Sequence, residues 1–299
     1  MRRLMLIAVV AALGSAALFA VASVVQHGAA KLAPAAETLR FALLIDLLHR
    51  PRWLWGLVAS AAGFGLQGVA LHFGRLTLVQ PLILVELLFA LPVAAHIRRR
   101  TVPRSQWISA LAIAAGLGLF LSTASPHGGR PSVPILTWLV VAFAVTVGVG
   151  LCAAAAQFAS SLVRTMLYAN AAGVMFGLLA ALLDNVAYLL AHRGVAGTLT
   201  SWQPYALALV APVGEVFAQS AFQAGPLSAS LPFMYTIEPG SAIVIGVLAF
   251  GERVAHTPLA VAVEAVSVSG LVAGVVVLSR APLVQVSERA RARVGNHQH

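Results

Sequence analysis

Apolar runs of about 20 residues, each long enough to cross ~30 Å of hydrocarbon, follow one another along nearly the whole chain. The first covers Leu4 to Val25 behind Met1-Arg2-Arg3. It has the outline of a signal peptide, with small residues at Ala20-Val21-Ala22. Its apolar run is longer than an ordinary signal core, and everything downstream is also apolar, so a retained first helix over 4–25 is expected. The pattern then changes between Gln26 and Arg52, where Glu37, Arg40 and Asp46 are interleaved with Leu39, Phe41, Leu43, Leu44, Leu47 and Leu48. This predicts a short helix over 34–50, either an imperfect span or an amphipathic segment in the interface, with Trp53 and Trp55 at headgroup level. Regular spans resume after it, and helices are predicted over 53–73, 77–97, 105–123, 134–156, 161–190, 202–223, 227–250 and 257–279. Breakers fall between them at Pro103, Ser125 to Pro131, Gly194 to Gly197 and Gly225-Pro226.

The pattern is also written twice. The stretch Gly65 to Thr123 recurs 151 residues later as Val216 to Gly274, so that Gly74 falls on Gly225, Leu76 on Leu227, Thr77 on Ser228 and Pro81 on Pro232. A repeated apolar half is the signature of a transporter built from two related bundles. Five predicted crossings separate Pro81 from Pro232, and an odd number places the two copies in opposite orientations. The expected fold is therefore all-α, a polytopic membrane bundle of nine or ten helices in two inverted repeats of about five. Residues 1–125 form the first repeat, 126–133 a linker, 134–280 the second repeat and 281–299 a basic tail.

Composition agrees with the pattern: 60% of residues are hydrophobic, 9% are charged and the mean hydropathy is +0.91. Too few polar residues remain to cover a water-soluble surface. A net charge of +10 in a soluble protein would suggest nucleic acid. Here the basic residues lie in short loops and in the tail, which excludes that partner and makes them topology signals for an anionic cytoplasmic leaflet. Arg2, Arg3, Arg50, Arg52, Arg98, Arg99, Arg100, Arg104, Arg164, Arg280, Arg289, Arg291 and Arg293 give thirteen inside against six outside if 34–50 spans. If it does not, Lys31 and Arg40 replace Arg2 and Arg3 and the count is unchanged. Either way the C-terminus is cytoplasmic, and a bacterial inner (plasma) membrane is the expected location. Cys152 is the one cysteine, so there is neither an intrachain disulfide nor a cysteine metal cluster.

Helix, Gly-x-Leu, small residues, proline, a helix ending Gly251-Glu252-Arg253-Val254 and a last helix with Gly270 and Gly274 together resemble the EamA-type members of the drug/metabolite transporter superfamily. Pro34 and Arg40 stand where that family often has a proline and an arginine. The resemblance implies a ten-helix inverted-repeat permease with a central cavity, exporting or exchanging a small organic solute. Arg98-Arg99-Arg100 departs from it, standing where the pattern would have Gly-Glu. The compressed 26–52 region and the stretch from Trp53 to Pro81 are similar to NIPA-type magnesium transporters, which keeps a divalent cation as an alternative substrate. A non-transporting membrane scaffold or accessory subunit is a second alternative.

Chemistry narrows to the few polar residues inside the spans. Of nine acidic residues, Glu86, Glu215, Glu238 and Glu264 fall well inside predicted spans, while Asp184 sits near the outer end of its helix. A charge at mid-membrane costs about 2.5–3.5 kcal/mol on insertion scales, so such residues face a cavity or a partner. The repeat places Glu86 one residue from the equivalent of Glu238, at nearly equal depth in opposite halves. Tyr235 and Ser241 share a helical face with Glu238, and Pro239 frees an upstream carbonyl nearby. Glu215 and Gln219 form a second stripe on one face. These six, Glu238, Glu86, Tyr235, Ser241, Glu215 and Gln219, are the expected substrate contacts. Each has a structural counter-reading as interhelical glue. His72, Gln67 and Gln223 sit near helix ends as candidates for a gate or proton relay. Trp107, Trp138 and Trp202 read as membrane anchors.

No Gly-Lys-Ser/Thr phosphate loop, His-Glu-x-x-His or nucleophile elbow occurs, so neither ATP-driven transport by this chain nor an enzyme is expected. No cofactor and no bound metal are expected, with proton or cation coupling as the drive. The partners are a small-molecule or cation substrate and the lipid bilayer, and a homodimer is an option.

Overall fold

The computed structural model describes residues 2–73, 82–83, 85–97, 102–124, 133–251 and 266. All regular elements among them are helical: α1 (Arg2–Ala30), α2 (Phe41–Leu48), α3 (Pro51–Phe73), α4 (Glu86–Ile97), α5 (Arg104–Ala124), α6 (Ile135–Gln157), α7 (Ser161–Leu199), α8 (Gln203–Ala224) and α9 (Leu227–Ile245). Six of these, α1, α3, α6, α7, α8 and α9, are long and apolar enough to cross a membrane. The chain is a multi-pass membrane protein. Apart from Val266, the helix expected over 257–279, Glu264 in it, and positions 74–81 of the first repeat copy lie outside the described residues.

The outward faces confirm which solvent the helices meet. Along α6, Leu136, Leu139, Val140, Phe143, Val147 and Leu151 are all exposed, an apolar stripe at helical spacing that suits lipid rather than water. Inward faces carry small residues instead. Ala12, Ala16 and Ala20 of α1 are fully buried, which lets helix backbones approach closely.

Helix directions follow from residue pairs. Gly56 of α3 lies against Gln26 of α1, Gly63 against Phe19, and Leu66 against Gly14, so α1 and α3 form an antiparallel hairpin. Ser15 Oγ donates to Gly63 O at 2.8 Å inside it. Residues 31–50 therefore connect two helix ends on one side of the membrane. Within them α2 has eight residues, a rise of about 12 Å, and does not span. Its Leu43 and Leu47 are packed with Ala29 and Trp53. Trp53 is thus a core residue rather than a headgroup anchor, while Trp55 is exposed.

The remaining helices join this frame. Contacts of Gly173 with Ile237 and of Gly177 with Ser241 run in step, making α7 and α9 parallel. Gly214 meets Phe176 and Gly225 meets Thr165, making α7 and α8 antiparallel. Gln26 pairs with Gln219 and Lys31 with Gln223, so α1 and α8 are parallel. One end of the bundle consequently gathers Lys31, Arg40, Arg50, Arg52 and Arg164. At that end Arg164 donates to the carbonyls of Ala156 (3.0 Å) and Ala159 (3.2 Å), covering the C-terminus of α6. At the other end Gly194 interrupts α7 with φ 66 and ψ −177, a conformation essentially confined to glycine. Trp138, read from sequence as an anchor, is buried between Trp202 and Phe250.

Candidate functional site

The polar residues of the interior meet along α1. Ser23, Gln26 and His27 lie on one face of an otherwise apolar helix, and all three are buried. Spacings of three and four residues hold them in a stripe, which Lys31 extends to the basic end.

At the deepest level Ser23 Oγ donates to Glu86 Oε1 at 2.9 Å. The Tyr235 hydroxyl of α9 faces the same Glu86 carboxylate beside Ser23. Three helices from two separate parts of the chain thus close on one carboxylate, which is 2% exposed. Glu86 is the first residue of α4; residues 82–83 before it are also helical, and 77–81 of the expected helix lie outside the described residues. Glu238, one helical turn beyond Tyr235, is close enough to Glu86 to repel it electrostatically. Its own carboxylate is half-buried and makes no hydrogen bond among the described residues. Burying two carboxylates in a medium of low dielectric is costly, and a cation or proton beside them relieves that cost.

Ser241 plays a different part from the one its helical face suggested. Its hydroxyl lies 2.9 Å from Glu238 O and 3.3 Å from Gly173 O, within the α7–α9 contact. A Cβ at Gly177 would collide with Ser241 Oγ and with the α9 backbone, so the Gly173-x-x-x-Gly177 pair is what lets α9 approach.

One turn along α1 from Ser23 a second cluster forms. Gln219 Nε2 donates to Glu215 Oε1 at 2.7 Å and to Gln26 Oε1 at 3.4 Å. Gln219 is fully buried, and its Oε1 has no partner among the described residues.

At the basic end the third cluster is built on Gln223. Its Nε2 donates to the carbonyls of Ala33 (3.0 Å) and Pro34 (2.9 Å), and its Oε1 accepts from Thr38 Oγ1. Lys31 Nζ donates to its carbonyl at 2.9 Å. Beside it Leu39 N donates to Ser220 Oγ at 3.1 Å, and His27 Nε2 donates to Gly225 O at 3.0 Å. Leu39 has φ 60, a strained value for a leucine. Residues 33–39 form a strap tied across the end of α8.

Of the expected gating residues, Gln223 holds this strap. Gln67 lies half-buried on α3, away from it, and the side chain of His72 is outside the described residues. Ser23, Gln26, Ser220 and Thr38 were not singled out from sequence. For Ser23 and Gln26 the signal existed: two polar residues one turn apart inside an apolar run. For Ser220 and Thr38 none did, because their partners are 181 and 185 residues away.

No family model matches the chain, and no solved structure is similar to it. An uncharacterized protein of Corynebacterium glutamicum is 33% identical over 253 residues, a match covering 83% of this chain and 86% of the corynebacterial one.

Proposed function

The chain belongs to the same family as that uncharacterized protein of Corynebacterium glutamicum, and we propose that it is a secondary transporter of the drug/metabolite type. It moves a small organic solute across the membrane by alternating access, drawing on a proton or cation. The observation that carries this reading is the Glu86 cluster. A carboxylate buried where α1, α4 and α9 meet, faced by a second carboxylate without a hydrogen bond, serves no packing purpose that an apolar pair would not serve better. It suits a site whose charge is neutralised when a cationic solute or a proton arrives.

Three further points support the reading. The cluster joins parts of the chain on either side of the 126–133 linker, where two rocking halves would share a site. The repeated stretch ends α3 and α8, which run in opposite directions, as inverted halves require. The resemblance to EamA-type permeases points the same way. By the positive-inside rule the end bearing Lys31, Arg40, Arg50, Arg52 and Arg164 is cytoplasmic, so the strap tied by Gln223 is the inner gate and the N-terminus is outside.

A magnesium-type carrier is the weaker reading. Hard divalent cations take several oxygen ligands, and among the described residues no three acidic, histidine or cysteine side chains converge. Glu215 is bound into its own cluster with Gln219 and Gln26. A scaffold or accessory subunit would have no use for an unsatisfied interior carboxylate.

Counterflow into proteoliposomes, screened across cationic and neutral solutes, tests the proposal. The doubly neutral variant Glu86→Gln, Glu238→Gln is expected to lose at least about tenfold in uptake, since a hydrogen bond to a charged group is worth about 1.5–3 kcal/mol. Uptake at the wild-type rate would remove these two residues from the pathway.

A further inference from the structure

The Glu86 cluster accounts for one end of a solute, and the cluster of Gln219, Glu215 and Gln26 is left over. Gln219 is 0% exposed and its Oε1 has no partner among the described residues. The orientation of its amide follows from an ionised Glu215. Only the NH2 group can donate to that carboxylate 2.7 Å away, and a reversed amide would set oxygen against oxygen. A buried acceptor left without a donor costs about 1–3 kcal/mol. The second oxygen of Glu215 also makes no hydrogen bond among the described residues, and its side chain is half-buried. Both atoms accept and neither donates.

The position relative to the first cluster is set by α1. Ser23 touches Glu86 and Gln26 touches Gln219, and three residues of helix separate these contacts by about 4.5 Å. The charged and hydrogen-bonding neighbours of Glu86, Glu215 and Glu238 include no arginine or lysine. Among the described residues no cationic side chain stands beside these carboxylates to hold an anionic group.

We infer that Gln219 and Glu215 form a second, hydrogen-bond-accepting subsite, so that the solute is a compact amine with a donor group at each end and no carboxylate. The inference rests on the transporter reading and narrows it. One ammonium sits between Glu238 and Glu86, and the second donor satisfies Gln219 Oε1 and the free oxygen of Glu215. A short diamine has this form; a monoamine leaves the second subsite unfilled, and a basic amino acid brings an anion with no partner.

Isothermal titration of the full-length purified protein with 1,4-diaminobutane, butylamine and ornithine, alongside counterflow, tests this. Diaminobutane is expected to bind at least about tenfold more tightly than butylamine, the value of one hydrogen bond to a charged donor. Ornithine is expected to bind more weakly than diaminobutane. Gln219→Met should level diaminobutane to butylamine, and Gln219→Glu, which keeps an acceptor, should retain the preference. Equal wild-type affinities for the two amines, or a preference surviving Gln219→Met, would overturn the second subsite and leave amine transport standing. Counterflow of some other solute with no amine bound at all would overturn the inference alone. Failure of every solute in counterflow would sink the transporter reading and the inference with it. If Gln219→Met does not elute as a folded species, the wild-type comparison of the two amines decides.

Discussion

Tyr235 presents its one hydroxyl hydrogen toward the carboxylate of Glu86. Removing that donor leaves a buried carboxylate with Ser23 as its remaining side-chain donor. Tyr235→Phe keeps the ring and its packing, so the expected result is a folded protein whose uptake falls about tenfold or more. Unaltered uptake would make the hydroxyl structural. Gly177 is the residue-scale condition for the same site, because a side chain there would meet Ser241 and the α9 backbone. Gly177→Leu is expected to destabilise the fold by about 1–3 kcal/mol through overpacking, read as a lower apparent melting temperature in detergent. The Asp46–Arg50 bridge at 2.7 Å is a contrasting case: it joins partly exposed side chains, where ion pairs contribute about 0–1 kcal/mol.

Among the elements, the strap over 33–39 has the most hydrogen bonds resting on one side chain. Gln223 contributes three of them, to Ala33, Pro34 and Thr38, while Leu39 at φ 60 adds strain that opening would release. Gln223→Ala is therefore expected to raise amide hydrogen exchange across residues 33–40 and leave α7 unaffected. Unaltered exchange would mean that packing, not Gln223, holds the strap. α1 is the element whose role changed most. In sequence it reads as a plain apolar anchor. In the bundle its polar stripe connects all three clusters.

At the scale of the molecule, the α1–α3 hairpin fixes the direction of every helix tied to it. With α2 confined to one side, the bundle begins on the side opposite Arg50 and Arg52. In a functional Cys152→Ala background, a cysteine at Leu4 is expected to react with an impermeant maleimide added to intact cells, and a cysteine at Arg52 only after the membrane is opened. The reverse result would overturn the proposed orientation. Rocking of two halves makes a second whole-molecule statement: separations across the Glu86 cluster should change when solute binds, measured between spin labels on α3 and α7. A separation indifferent to every transported solute would speak against alternating access.

The membrane class, the all-helical fold and most helix spans could be read from the sequence alone. Each depends on local quantities, the length of an apolar run and the breaker that ends it, as with Ile135–Gln157 between Pro134 and the turn after it. Glu86, Glu215, Glu238 and Gln223 could be singled out by the cost of polarity in an apolar span. Which of them meet could not. The partners of Glu86 are 63 residues away in Ser23 and beyond the linker in Tyr235, and the partner of Gln219 is 193 residues away in Gln26. No local pattern encodes such separations. Tertiary packing decided the rest: that Ser241 faces α7, that Trp53 and Trp138 are core rather than anchors, and that 34–50 stays on one side. A helix face acquires its meaning only when a neighbour covers it, and the neighbours were set by where glycines and alanines let backbones approach.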